Sequence, residues 1–105
     1  MNRGDIVWLD FTPQSGLEQK GRRPAVVISP AAYNALSNCI LVCPITTNTA
    51  PWAWKVDVSG TITGSILVDQ IKSVDATARH ATQSGQKLDT DQMDEVLARL
   101  STLTA

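Results

Sequence analysis

The chain has 105 residues, with nine Lys and Arg against ten Asp and Glu, a formal charge of -1, and only 18% charged residues beside 43% hydrophobic ones. That balance excludes a disordered chain, suits one domain over residues 1–105, and leaves enough apolar side chains for a core without metals or disulfides. It also argues against a protein that coats nucleic acid indiscriminately, because such affinity comes from many Lys and Arg contacts to phosphates.

The N-terminus, Met1-Asn2-Arg3-Gly4-Asp5, has no apolar run of the kind a secretory signal carries. Between Pro24 and Trp54 no Asp, Glu, Lys or Arg occurs, yet Pro30, Asn34, Asn38, Pro44 and Asn48 interrupt the segment well short of a membrane span. Cys39 and Cys43 are four residues apart on an expected strand, which holds them about 13 Å from one another. They cannot pair, and two free thiols without a His or Cys partner fit a reducing cytoplasm and no zinc site.

In chain order, alternation of apolar and polar residues predicts five strands, over Asp5–Phe11, Pro24–Ser29, Cys39–Ile45, Trp54–Val58 and Ser65–Val74. Turn-forming residues separate them: Thr12-Pro13-Gln14-Ser15-Gly16, Ser29-Pro30, Thr47 to Pro51, and Ser59-Gly60. Strands so closely spaced imply a mainly antiparallel barrel or sandwich. The period then changes. Asp89 is placed as an N-cap with Gln92 as its capping-box partner and Leu88 with Met93 as a staple; Met93, Val96, Leu97, Leu100 and Leu103 follow as one helical stripe. Such a stripe packs on the sheet.

Charge is unevenly divided. Residues 1–56 hold five cations and three carboxylates, a net +2, whereas residues 57–105 hold four cations and seven carboxylates, a net -3. The cations of the first half concentrate in Gly16-Leu17-Glu18-Gln19-Lys20-Gly21-Arg22-Arg23-Pro24. This stretch is either a solvated hairpin loop or an anion-recognition site, since the planar fork of Arg suits phosphate. The single histidine, His80, rules out a two-histidine mechanism and reads as a surface residue. Trp52 and Trp54 are either core or a platform for an unpaired base.

Four strings now stand in order: Arg3-Gly4-Asp5-Ile6-Val7-Trp8, then Gly16-x-Glu18-Gln19-x-Gly21-x-Arg23-Pro24-Ala25-Val26-Val27-Ile28-Ser29-Pro30, then Pro44-Ile45-Thr46-Thr47, then Asp69-Gln70-Ile71-Lys72-Ser73. Together they resemble the MazF/PemK/Kid family of toxin endoribonucleases, the mRNA interferases, from about Arg3 to the C-terminal helix. The resemblance implies a compact SH3-like β-barrel of the CcdB/Kid/MazF-like toxin fold with a C-terminal α-helix. It further implies metal-independent, cofactor-free cleavage of single-stranded mRNA through attack of the ribose 2'-hydroxyl.

By position, Arg23 would stabilise the phosphorane, Thr46 would hydrogen-bond a phosphate oxygen, and Glu18 is the candidate base. Gln19, Lys20, Arg22, Thr47, Asn48 and Gln70 would hold RNA. Some family members carry a catalytic Arg two residues before the Asp-Gln pair, where this chain has Leu67. A homodimer, a MazE-type antitoxin with an acidic tail, and a cytoplasmic location are also implied. The rival on the same fold is a non-enzymatic, CcdB-like toxin that poisons gyrase through a C-terminal Trp-containing tail; here the tryptophans are Trp8, Trp52 and Trp54. An SH3-like adaptor would need an aromatic groove that five aromatics can hardly build.

Overall fold

The computed structural model of the protein describes residues 1–11 and 21–104. Among them are seven strands: β1 (Asp5–Phe11), β2 (Gly21–Val27), β3 (Cys39–Thr46), β4 (Lys55–Val58), β5 (Gly64–Leu67), β6 (Lys72–Asp75) and β7 (Thr82–Lys87). Two helices complete the fold, a short α1 (Ala31–Leu36) and the C-terminal α2 (Thr90–Thr104). The strands form one antiparallel sheet in the order β4-β5-β3-β2-β1-β7, with β6 pairing on β3, and the sheet curls into a half-barrel. No described helix is long and apolar enough to cross a membrane.

The central strands are buried on both faces, which is why their sequences read as near-continuous apolar runs. Val7, Leu9 and Phe11 of β1 join Ala25, Val27, Ile40, Val42 and Val74 in one cluster. Their neighbours Ile6, Val26, Cys43 and Ile45 turn to a second cluster with Val56, Val58, Ile66 and Val96, so β4, β5 and α2 cap that face. Alternation alone predicts one buried side; curling of the sheet supplies the other.

Four features depart from the sequence expectation. The strand expected over Ser65–Val74 is broken by a 3-10 turn at Val68–Gln70, which separates β5 from β6 and lets each pair a different stretch of β3. The second strand starts three residues early, because Gly21, Arg22 and Arg23 pair with Phe11, Asp10 and Leu9. β7, Thr-Gln-Ser-Gly-Gln-Lys, has no apolar period; its backbone bonds to β1 make it a strand. Helix α1 follows Pro30, carries no charged residue and buries none of its side chains, so no stripe announces it.

The end of the chain follows expectation closely. The Gln92 N–H donates to Asp89 Oδ1 at 2.8 Å and the Asp89 N–H to Gln92 Oε1 at 3.1 Å, the reciprocal capping box. Val96 is fully buried and Met93, Leu97 and Leu100 pack on the second cluster, whereas Leu103 is left 47% exposed. Asp5 is the one buried carboxylate among the described residues. Burial pushes its pKa up, but hydrogen bonds from the Asn2 N–H and Gln83, with Lys87 beside it, more than offset that and hold it below the usual carboxylate range.

Candidate active site

The register of the sheet builds a polar row. In β2, Arg23 lies opposite Leu9 of β1, two residues before Ala25, and therefore on the same face as Ala25. Ala25 is level with Pro44 of β3; continued by two residues, this register sets Arg23 level with Thr46. Thr46 pairs in turn with Ser65 of β5, and Ser65 with Asp57 of β4. Arg23, Thr46, Ser65 and Asp57, distant in sequence, thus stand side by side on one face. Gly64 makes that approach possible, since a Cβ there would lie 2.5 Å from the Thr46 carbonyl oxygen. Any side chain there would force β5 away from β3.

Beyond Thr46 the chain leaves the sheet and is pinned by its own polar groups. The Asn48 N–H donates to Thr46 Oγ1, the Ala50 N–H to Asn48 Oδ1, and Lys55 Nζ to the carbonyls of Asn48 and Ala50 at 2.8 and 2.7 Å. Under this loop lies a cavity of about 350 Å³ walled by Thr46, Asn48, Trp52, Lys55, Asp69 and Gln70, with Leu67 among its apolar lining. The position where some family members carry an arginine therefore presents hydrocarbon here. Thr47 joins Thr46 and Asn48 on a neighbouring cavity of about 470 Å³.

The two tryptophans of the loop divide the roles that spacing alone left open. Their ring centroids are 5.3 Å apart at a 55° tilt. Trp54 packs on the core and donates its Nε1–H to Thr102 of α2. Trp52 is half-exposed and donates to Asp69 Oδ1 at 3.1 Å, so its ring is held at the cavity wall with a face toward solvent.

The other arginine of the pair has a different environment. Arg22 donates to Asp10 Oδ1 at 3.0 Å, to the His80 carbonyl and to Thr82 Oγ1, both at 2.7 Å. The second Asp10 oxygen meets His80 Nδ1 at 2.8 Å. These hydrogen bonds, with the Arg22 charge, hold the Asp10 carboxyl below its usual range. His80, largely exposed as expected, adopts a left-handed backbone at φ 53° to close this contact. Sequence reasoning missed Asp10; its position opposite Arg22 in a hairpin register was the available signal.

Of the residues expected to act on RNA, Thr46, Thr47, Asn48 and Gln70 are gathered at this end of β3, Arg23 lies two residues beyond the last β2–β3 pair on that side, and Arg22 is set apart. Glu18, Gln19 and Lys20 lie outside the described residues. Lys72, which the motif contains, adds a cation near the same face, its ammonium 5.0 Å above the Phe11 ring.

Residues 2–104 match the family described as PemK-like, MazF-like toxin of type II toxin-antitoxin system. The chain belongs to this family. The toxin is 45% identical over 83 residues to the endoribonuclease toxin MazF of Escherichia coli strain K12, covering 78% of this chain and 75% of that one. In structure it is similar to MazF from Deinococcus radiodurans, with a TM-score of 0.89, 38% identity, and 99% and 96% of the two chains covered. A MazE–MazF complex from the same organism matches with a TM-score of 0.88 at 36% identity, over 99% and 95% of the chains. The fold expected from the motifs, a curled antiparallel barrel with a C-terminal helix, is the fold of these MazF structures. The toxin is an endoribonuclease of a type II toxin-antitoxin system, and the gyrase-poisoning alternative is not favoured.

Proposed function

We propose that the toxin cleaves single-stranded RNA, messenger RNA above all, at short sequences and without metal, and so stops translation and growth. The ribose 2'-oxygen forms the new bond to phosphorus, the bond to the 5'-oxygen breaks, and that oxygen leaves with a proton. The products are a 2',3'-cyclic phosphate and a 5'-hydroxyl. Arg23 stabilises the charge that develops on the phosphorane, Thr46 donates to a phosphate oxygen, and Glu18 takes the 2'-proton. Arg23 acts as a fixed cation whose planar fork of donors meets the phosphorane, and the leaving oxygen takes its proton from water.

One observation carries this reading: the pairing of Ala25 with Pro44, which points the Arg23 end of β2 toward Thr46, itself in the wall of a cavity lined by Asn48 and Gln70. The cations next to it would follow the RNA backbone, while Asn48, Thr47 and Gln70 meet ribose and bases, with Gln19 and Lys20 completing the groove. Arg22 is braced by Asp10 and contributes its charge from the adjoining edge. The half-exposed Trp52 ring offers a base a stacking surface at the same cavity.

The toxin works as a homodimer in the cytoplasm. A MazE-type antitoxin lays an acidic tail, disordered until bound, over this groove, where carboxylates take the place of phosphates. The test is cleavage of a defined single-stranded RNA in EDTA with mapping of product ends. The expected result is 5'-hydroxyl ends at fixed positions and an intact duplex control; inhibition by EDTA, or full activity of Arg23→Ala, overturns the mechanism.

A further inference from the structure

The sheet order places β4 and β5 at one end and β7 at the other, and no backbone pair among the described residues joins the two ends. Gln86 of β7 bridges the seam between them with its side chain. Its Oε1 accepts the Ile62 N–H at 2.8 Å, and its Nε2 donates to the Ile62 carbonyl at 3.0 Å and to the Ser59 carbonyl at 3.3 Å. A carboxamide that bonds both the N–H and the C=O of one residue does what a paired strand would do, and here both amide protons are used. Space is reserved for it, since a Cβ on Gly60 would lie 2.7 Å from that Nε2.

The loop so held, Ser59 to Thr63, leads directly into Gly64, and Gly64 touches the catalytic strand. Ile62 is buried in the second cluster; Ser59, Thr63 and Gly64 wall the cavity of about 470 Å³ that Thr46 also lines; and Gly64 lies close enough to the Thr46 carbonyl to exclude a Cβ. Thr46 ends β3, and its pairing with Ser65 is the last between β3 and β5. The Thr46 hydroxyl oxygen accepts the Asn48 N–H, which leaves the hydroxyl proton for a phosphate. Where that proton points depends on where the end of β3 lies, and the end of β3 rests on the β4–β5 hairpin.

We infer that Gln86 is a positioning residue for Thr46. By closing the seam between β7 and the β4–β5 loop it fixes Gly64 and Ser65 against the end of β3, and with them the hydroxyl that meets the phosphate. The anchor on the other side is firm, because Lys87 pairs with Asp5 of β1 and Ser84 donates to the Ile6 carbonyl. The inference rests on the endoribonuclease reading above.

The test is a double-mutant cycle on a defined single-stranded RNA, with kcat and KM measured for the wild type, Gln86→Met, Thr46→Ala and the double variant, well below the melting temperature of each. The methionine side chain keeps the length of glutamine without its hydrogen bonds. Gln86→Met is expected to lower kcat about tenfold and to leave KM within about a factor of two, since a misplacement of about 1 Å can cost up to about 10²-fold. In the Thr46→Ala background the same change is expected to cost nothing further. A role confined to stability predicts the opposite, a lowered melting temperature with kcat unchanged. Gly60→Ala, whose Cβ displaces the carboxamide while Gln86 is kept, carries the same cycle should Gln86→Met fail to fold. An unchanged kcat in whichever variant folds, or an equal fold-loss in both backgrounds, overturns the inference and leaves the endoribonuclease reading standing. A wild type that cuts no RNA overturns both.

Discussion

Arg22 and Arg23 are adjacent in sequence and carry the same charge, yet the pleat of β2 sends them to opposite faces. Arg22 meets Asp10, the His80 carbonyl and Thr82, all within 3.0 Å. Arg23 lies two residues beyond the Ala25–Pro44 pair, on the side of Thr46. One cation is consumed in joining the β1–β2 hairpin to the turn before β7; the other is placed where a phosphate would sit. A basic dipeptide is thus two different objects, and the local sequence does not say which arginine is which.

The contrast can be broken most sharply at Arg23. Arg23→Ala should lower kcat/KM for a defined single-stranded RNA by roughly 10²–10³, the loss typical of one transition-state charge donor, with little change in melting temperature. Arg22→Ala should do the reverse, reducing cleavage only a few-fold but lowering stability by up to about 1 kcal/mol, a modest figure because the Arg22–Asp10 pair is exposed. Paired melting curves and initial rates on the two variants check both statements.

Gly64→Ala probes the row from the other side. Its Cβ would press on the Thr46 carbonyl, so β5 must retreat from β3, at a cost of about 1–3 kcal/mol in urea unfolding. Cleavage should fall with it, because Thr46 moves relative to Arg23.

Two smaller effects concern the scaffold. Asp5 and Asp10 both have folded pKa values below their unfolded ones, so the stability they contribute is present above about pH 4 and is lost as pH falls through the folded values. Asp5→Asn should flatten the decline in stability below pH 4 measured by urea titration. Burial pushes the Cys43 thiol up to about 12, with Asp69 adding to the shift. At pH 8 Cys43 should therefore resist alkylation in the native toxin and react on unfolding, as peptide mass spectrometry would show.

Much of this molecule was legible in one dimension. The apolar alternation of β1 and β3, the turn at Ser59-Gly60 and the Asp89–Gln92 capping box are local devices, each acting within a few residues, and each appears where the residues ask for it. The resemblance named Arg23, Thr46, Asn48 and Gln70 as one site; in the structure Thr46, Asn48 and Gln70 share a cavity at the end of β3. Strand β7 was not legible, because backbone pairing with β1 leaves no mark on the side chains of Thr-Gln-Ser-Gly-Gln-Lys. Nor was the break at Val68–Gln70, where the apolar run continues while the chain turns from one stretch of β3 to another.

By itself, then, the sequence determined where the main strands lie, the start of α2 and the family. Only the tertiary structure decided who stands beside whom. Side-chain period is a property of one strand, but register is a property of two, and the row Arg23, Thr46, Ser65, Asp57 joins four strands. The same long-range pairing separated Arg23 from Arg22 and brought Asp57 to the row, because a sheet chooses its neighbours by burying both clusters at once.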